Sequence, residues 1–319
     1  MGMVEHSIDL HGPRVSNGRR SPEAVGTVLK WTERAARDSV SMAFRYTSRA
    51  PGRPPAWLAA ASAIRFASIA HREDGTRLYF EAPRLRDAAE EVYRQRELFQ
   101  TRPDGNDTAF DLLGDVVRDV EQQAADSCRF DRKLLGGFRT FRDAPSRLGI
   151  QALELRGGRL PQDRPGQVTP AVAERAVALQ AATPRPVRVR LYGQLDMIRA
   201  SDRSFELLLP RGEAVPGILV ADERDRLRGL WRKHVVVEGR AVFRPSGSLL
   251  CLEAEGLALA EKADRFFSKI PKPRGHASAP LTARVARRQG PTTGAGAIFG
   301  QWPGEETDEE VAAALKDLD

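Results

Sequence analysis

Cysteine is scarce in this chain of 319 residues: there are two, Cys128 and Cys251. They form no C-x-x-C pair, which excludes a disulfide-built scaffold and a cysteine-ligated metal centre. Both read as reduced core residues. Histidine is nearly as rare, with five residues (His6, His11, His71, His234 and His276), none three or four positions from another. That spacing excludes a helical pair of metal ligands, and His6 with His11 reads as the polar rim of one short strand. Aromatics make up 7% of the chain. No apolar run approaches the roughly 18 residues a membrane span needs. The richest small-apolar stretch, Trp57 to Ala70, is broken by Arg65 and Ser68. The opening MGMVEHSIDLHG carries charge early and lacks the apolar centre of a signal peptide. A soluble, cytoplasmic protein with no membrane partner is therefore expected.

Catalytic signatures are missing too. There is no G-x-S-x-G. Gly294-Ala295-Gly296 has the glycines of a phosphate loop but neither a preceding strand nor a following Lys-Ser/Thr. Asp104-Gly105-Asn106-Asp107 lacks the closing glutamate of a calcium loop. The expectation is a protein that is not an enzyme, with no cofactor, metal or catalytic residue.

Charge is what the chain does have, and it is unevenly placed. The net charge is +7. The last twenty residues, GQWPGEETDEEVAAALKDLD, hold seven acids against Lys316, so the remainder is near +13 (+7 minus −6). A body of that sign favours an acidic partner, whether nucleic acid, a protein or the tail itself.

At this length one hydrophobic core usually divides, beyond roughly 250–300 residues. The fold class predicted is α+β: an N-terminal α+β domain, a small five-stranded OB-like β-barrel, and an extended C-terminal tail with a short helix. Residues 1–156 read as a small sheet covered by helices. His6–Leu10 is a strand candidate. Ser21-Pro22-Glu23 starts a helix that runs to about Tyr46, with a Ser cap and proline at the first position. Strands are predicted around Ile64–Ser68, Leu78–Phe80 and Ile150–Leu155, and helices at 85–99, 109–125 and 131–141. Residues 157–186 read as a linker around one helix, Pro170–Ala181, capped by Thr169.

Residues 187–260 show strands near 187–198, 205–209, 215–220, 235–243 and 249–254, with a helix at 222–230. The order β-β-β-α-β-β suits an OB-like barrel, and an SH3-like barrel is the structural competitor. Arg188, Arg190, Tyr192 and Arg199 on the first strand, with Arg232, Lys233 and Arg240 near the fourth, are the candidate nucleic-acid-binding residues. Polar residues alternating with Val187, Val189 and Leu191 are equally what a wetted outer face requires. Tyr192 and Phe243 are the aromatics expected on that face, and Trp31, Trp57 and Trp231 are expected in the core. Residues 261–298 read as a basic flexible linker.

Residues 299–319 read as an acidic partner-binding helix. Thr307 and Glu310 make a T-x-x-E capping box, and Asp308 and Glu309 suit the first turn. Val311, Leu315 and Leu318 form one stripe. Phe299 and Trp302 precede it as an aromatic hook, and an isolated Trp in a polar tail suits an interface anchor, either on a partner or on the protein's own barrel.

The segment F-G-Q-W-P-G-E-E-T-D-E-E-V…A-L, Phe299 to Leu315, resembles the C-terminal segment of bacterial antitoxin-like proteins of toxin–antitoxin systems, found with PIN-domain ribonuclease toxins. The V-x-V-x-G strand, Val235–Gly239, and the F-R-P-S-G hairpin, Phe243–Gly247, are similar to the middle module of larger members. The resemblance implies a non-catalytic regulatory protein that neutralises a PIN-domain ribonuclease. Phe299 and Trp302 would be anchors and Val311, Leu315 and Leu318 a helix in a groove. Arg284, Arg287 and Arg288 would face the nuclease's carboxylates. No helix-turn-helix or ribbon stands at this N-terminus, where shorter antitoxins carry a DNA-binding dimerisation domain. The alternative from another class is a nucleic-acid-binding protein using barrel and linker.

Overall fold

Strand β1 (Met3–His11) is the spine of the first domain, and its alternation decides both faces of the sheet. It pairs antiparallel with β3 (Gly75–Pro83) on one side and β4 (Ala152–Gly157) on the other. With β2 (Arg65–Arg72) and β5 (Gly166–Val168) the sheet order is β2-β3-β1-β4-β5. Ile8 and Leu10 of β1, Leu78 and Phe80 of β3, and Leu153 and Leu155 of β4 are buried in one core. Asp9, facing the other way, meets Arg77 and Arg156. The computed structural model describes residues 2–12, 20–49, 54–72, 75–94, 103–160, 165–199, 203–220, 229–270 and 273. The acidic tail and Phe299, Trp302, Val311, Leu315, Leu318, Arg284, Arg287 and Arg288 lie outside the described residues. So does most of the helix expected at 222–230.

Helix α1 (Pro22–Arg45) begins as its sequence dictates: the Ser21 side chain accepts a hydrogen bond from the Ala24 N–H, and Pro22 fills the first turn. It ends where Tyr46 turns left-handed at φ 56° and its N–H reaches the Met42 carbonyl. A short helix α2 (Ala56–Ala61) lies between α1 and β2, and two more, α3 (Leu85–Ala88) and α4 (Glu90–Arg94), follow β3. Helix α5 (Ala109–Glu121) starts at Thr108, whose side chain and Asp111 form a reciprocal capping box. After it come α6 (Arg132–Gly137), a 3₁₀ turn (Phe138–Phe141), α7 (Ala144–Arg147) and α8 (Pro170–Ala182). Trp31 of α1 packs edge-on against Phe138 and Phe141, with ring centres 5.7 and 4.9 Å away.

The first domain is longer than its sequence suggests. β5 extends the sheet beside β4, and Val172, Ala173, Ala176 and Leu179 of α8 are buried in the same core as β1. Residues 165–182 are thus part of the domain and not a linker, because the helix has an apolar side that α5 and α6 cover.

Strands β6 (Val187–Arg199), β7 (Ser204–Leu208), β8 (Ala214–Leu219), β9 (His234–Phe243) and β10 (Leu249–Leu259) close a barrel. The first strand pairs with the second and the fourth, and the third runs parallel to the fifth. That is the OB arrangement, and it answers the SH3-like alternative. Leu191, Leu195, Phe205, Leu207, Val235 and Val237 fill the interior. Phe243, expected outside, is 1% exposed.

The barrel sits on the first domain. Leu250 belongs to the first domain's core cluster. The Ser246 N–H donates to the Ala125 carbonyl at 3.1 Å, Arg244 to the Asp126 carbonyl at 3.1 Å, and Ser248 Oγ to the Asp126 carboxylate at 3.0 Å. Residues 262–267, expected in the flexible linker, form a 3₁₀ helix. It is held to β6 by Arg190, which meets the buried Asp264 at 2.9 Å. Among the described residues no helix is long and apolar enough to cross a membrane.

Candidate functional site

Of the candidate nucleic-acid-binding residues, Arg188, Arg190 and Arg240 lie on the outer face of β6 and β9, where Arg188 pairs with Arg240. The same face supplies their counter-charges. Arg188 meets Glu255 at 2.8 Å, Arg190 meets Glu238 at 3.4 Å as well as Asp264, and Arg240 meets Glu253 at 2.9 Å. Arg190 also lies over the Phe267 ring, 5.1 Å from its centre. This is an ion-paired ladder, with its cations already matched by carboxylates. Exposed pairs of this kind contribute little stability, about 0–1 kcal/mol each.

Tyr192 is 6% exposed and stacks on His234, ring centres 5.4 Å apart at 15°. It presents no free face for a base. Arg199 ends β6, away from the ladder. Arg232 and Lys233 precede β9, where Trp231 departs from expectation: it is 53% exposed, and not a core residue. Its indole N–H donates to the Asp196 carbonyl at 3.1 Å and Arg232 lies over the ring at 4.8 Å. This hydrogen bond and the Arg232 contact hold the exposed ring against β6.

Two clusters in the first domain were not legible as sites. His6, expected on a rim, is 1% exposed. Its ring stacks on Phe110 at 4.7 Å and 7°, and its Nε2 is 3.0 Å from Thr108 Oγ1, which in turn donates to Asp111 at 2.8 Å. Burial pushes the His6 pKa down to about 4, and Asp111 opposes that only in part. Histidine–hydroxyl–carboxylate proximity resembles a nucleophile relay, yet Thr108 is wholly buried at the helix cap, with no access for a substrate.

The consequence is for stability. Below the unfolded-chain value near 6.5, the unfolded state takes up a proton that folded His6 refuses. The contribution is therefore complete at neutral pH and is lost as pH falls toward 4. Between about pH 7.5 and pH 5 the loss should be about 2 kcal/mol. Urea midpoints for the native protein and His6→Gln measure it: the variant should lack this part of the pH dependence, and an unchanged slope would remove His6 as its source.

The second cluster is a chain of alternating charges along α5. Arg159 Nε meets Asp107 at 2.8 Å and its NH2 meets Asp115 at 2.9 Å. Arg129 reaches Asp115 at 3.7 Å and Asp119 at 2.9 Å, and Arg118 also pairs with Asp115. The Arg159 N–H donates to Asp111 at 2.6 Å. The Asp107 pKa is raised because burial outweighs the attraction of Arg159. Gly157 and Gly158, at φ 103° and 59°, form the turn that delivers Arg159.

On the open face of the sheet, Asp9, His11 and Glu154 come within metal-ligating distance of one another. Asp9 binds Arg77 and Arg156, and Glu154 binds Arg156 at 2.5 Å. For Asp9 burial acts to raise the pKa, but Arg77, then Arg156 and His11, outweigh it and the net shift is down. Two guanidiniums already neutralise the two carboxylates, so this set suits a salt-bridge network better than a cation site. Of the cysteines, Cys251 is buried but Cys128 is exposed, on the loop after α5.

Comparison with known proteins returns no match: no protein family, no curated protein and no solved structure resembles the chain closely enough to identify it.

Proposed function

We propose that this protein is a non-catalytic partner that captures and silences a PIN-domain ribonuclease through residues 299–319, with the two-domain body as carrier. The observation that carries the reading is the segment Phe299–Leu315, F-G-Q-W-P-G-E-E-T-D-E-E-V…A-L, which resembles the antitoxin-like tails described above. The pairing of Arg188, Arg190 and Arg240 with carboxylates of their own domain adds support, because it removes the strongest competing use of the basic charge. PIN-domain nucleases gather carboxylates around Mg²⁺ to activate water. In this reading Phe299 and Trp302 enter apolar pockets, Val311, Leu315 and Leu318 lie in a groove, and Arg284, Arg287 or Arg288 sits against the acidic centre.

The test uses purified PIN-domain ribonuclease from the same genome, with intact protein and a chain ending at Gly290. Intact protein should bind it and stop RNA cleavage, and the shortened chain should do neither. Trp302→Ala and Leu315→Asp should each weaken binding by roughly 30-fold, the scale of a hot spot worth about 2 kcal/mol. Equal inhibition by the shortened chain would refute the reading.

One observation favours a second reading, single-stranded nucleic acid on the barrel. Trp231 is a solvent-facing indole beside Arg232 and Lys233, the combination that stacks a base and holds a phosphate. In that case an oligonucleotide should quench Trp231 fluorescence, binding should fall steeply with salt, and removal of the acidic tail should tighten it.

A further inference from the structure

The 3₁₀ helix at residues 262–267 forms one side of a groove on the barrel that the tail-based reading leaves unused. Asp264 and Phe267 both face Arg190 of β6, the carboxylate at 2.9 Å and the ring centre at 5.1 Å. Residues three apart share one side of a 3₁₀ turn, so the two between them are directed elsewhere. Phe266 is 86% exposed, and Arg265 lines the groove. Across from it stands the β7–β8 turn with Leu208, Leu209 and Pro210, and between them lie Gln194 and His234, paired across β6 and β9.

The groove measures about 510 Å³, and small-molecule sites commonly span about 300–1,000 Å³. Its lining is accessible: Pro210, Gly212, His234 and Arg265 are exposed, and Gln194, Leu208 and Ser268 are half-buried. No carboxylate lines it. Arg265 is on its wall, Arg211 stands between the lining residues Pro210 and Gly212, and Lys233 precedes His234. None of these three cations forms an ion pair among the described residues, whereas Arg188, Arg190 and Arg240 on the same two strands are each matched. One face of the His234 ring rests on the buried Tyr192, and its other face meets no ring among the described residues.

We propose that this groove binds a nucleoside monophosphate, with the base stacked on the outer face of His234 and the phosphate held by Arg265. Three features make the selection. An imidazole backed by a fixed aromatic ring offers a flat, pre-set surface for a base. A guanidinium without a carboxylate partner is matched in geometry to phosphate, which it can bind through two hydrogen bonds. With Arg211 and Lys233 nearby, a dianion is favoured over a singly charged carboxylate. Leu208 and Pro210 give the sugar and base edge an apolar wall. The proposal is independent of the tail, since every group it uses lies within residues 192–268.

Adenosine 5′-monophosphate and adenosine are the probes, titrated into the intact chain and followed by the His234 ring resonances and by calorimetry. The monophosphate should shift those resonances saturably and bind at least tenfold more tightly than adenosine, the scale of one charge-assisted hydrogen bond. Arg265→Gln should erase that preference while leaving adenosine binding as it was. His234→Ala should weaken both probes by roughly tenfold, as loss of a stacking partner does. Both side chains are exposed, so neither change disturbs the barrel core. No saturable shift with the monophosphate, equal binding of adenosine, an unchanged preference in Arg265→Gln, or native affinity in His234→Ala would each overturn the proposal.

Discussion

Gly239→Ala should cost more than about 3 kcal/mol, above the 1–3 kcal/mol typical of overpacking, and should disrupt the barrel. A methyl group there would stand 2.1 Å from the Glu253 carbonyl oxygen and 2.9 Å from Ala254 Cα. Both obstacles are backbone, held by the β9–β10 ladder in which Gly239 faces Ala254. Rotating a side chain cannot relieve them, so the strands must part. Gly26 in α1 provides the control of opposite sign. Nothing lies within 4 Å of a methyl group at Gly26, and Gly26→Ala should stabilise the helix by about 0.5–1 kcal/mol through its lower conformational entropy cost. Urea unfolding of both variants checks the pair. Near-native stability of Gly239→Ala would mean that the two strands are not as close as described.

Phe110→Ala should cost about 3–5 kcal/mol, the range for deleting a large buried ring. Phe110 is fully buried in the first turn of α5, stacked on His6 and 5.2 Å from the Phe80 ring. The cavity would open where β1, β3 and α5 meet, and water reaching it would find the His6 ring. Besides the lower urea midpoint, the variant should therefore show a His6 pKa raised from about 4 toward the ordinary value. Histidine chemical shifts followed against pH measure this. A midpoint within about 1 kcal/mol of native would show that the surrounding side chains collapse into the space.

These two positions also mark what could and could not be read ahead of the structure. Gly239 was legible as a strand glycine in a small barrel, where bends and close approaches are required. Phe110 was legible only as an apolar helix residue, because its partner His6 is over a hundred positions away and was expected on a polar rim. Helix starts were read well for a local reason. Ser21 with Pro22, and Thr169 with Pro170, carry their cap chemistry within three residues, and both caps form. Strand alternation at Val187–Leu191 and Val235–Phe243 likewise placed β6 and β9.

The candidate site was less legible. Arg188, Arg190 and Arg240 could be placed on one face, but not their partners Glu255, Asp264 and Glu253, which strand register and the 3₁₀ turn bring in. The same limit applies to Trp231, whose exposed ring is held by the Asp196 carbonyl of β6, 35 positions away. It explains Cys128, placed outside by the loop that also holds the barrel's hairpin.

By itself the sequence determined what acts over a few residues: caps, strand alternation, the places of the barrel's five strands, and the uneven charge ending in seven acids. These follow from backbone hydrogen bonding and side-chain periods, which are local. Only the tertiary structure decided that β5 and α8 complete the first domain, that His6 is buried, that the barrel's arginines are matched by carboxylates, and that Arg129 and Arg159 meet the aspartates of α5. Burial and ion pairing depend on which surfaces meet, and here the groups that meet are dozens to more than a hundred positions apart.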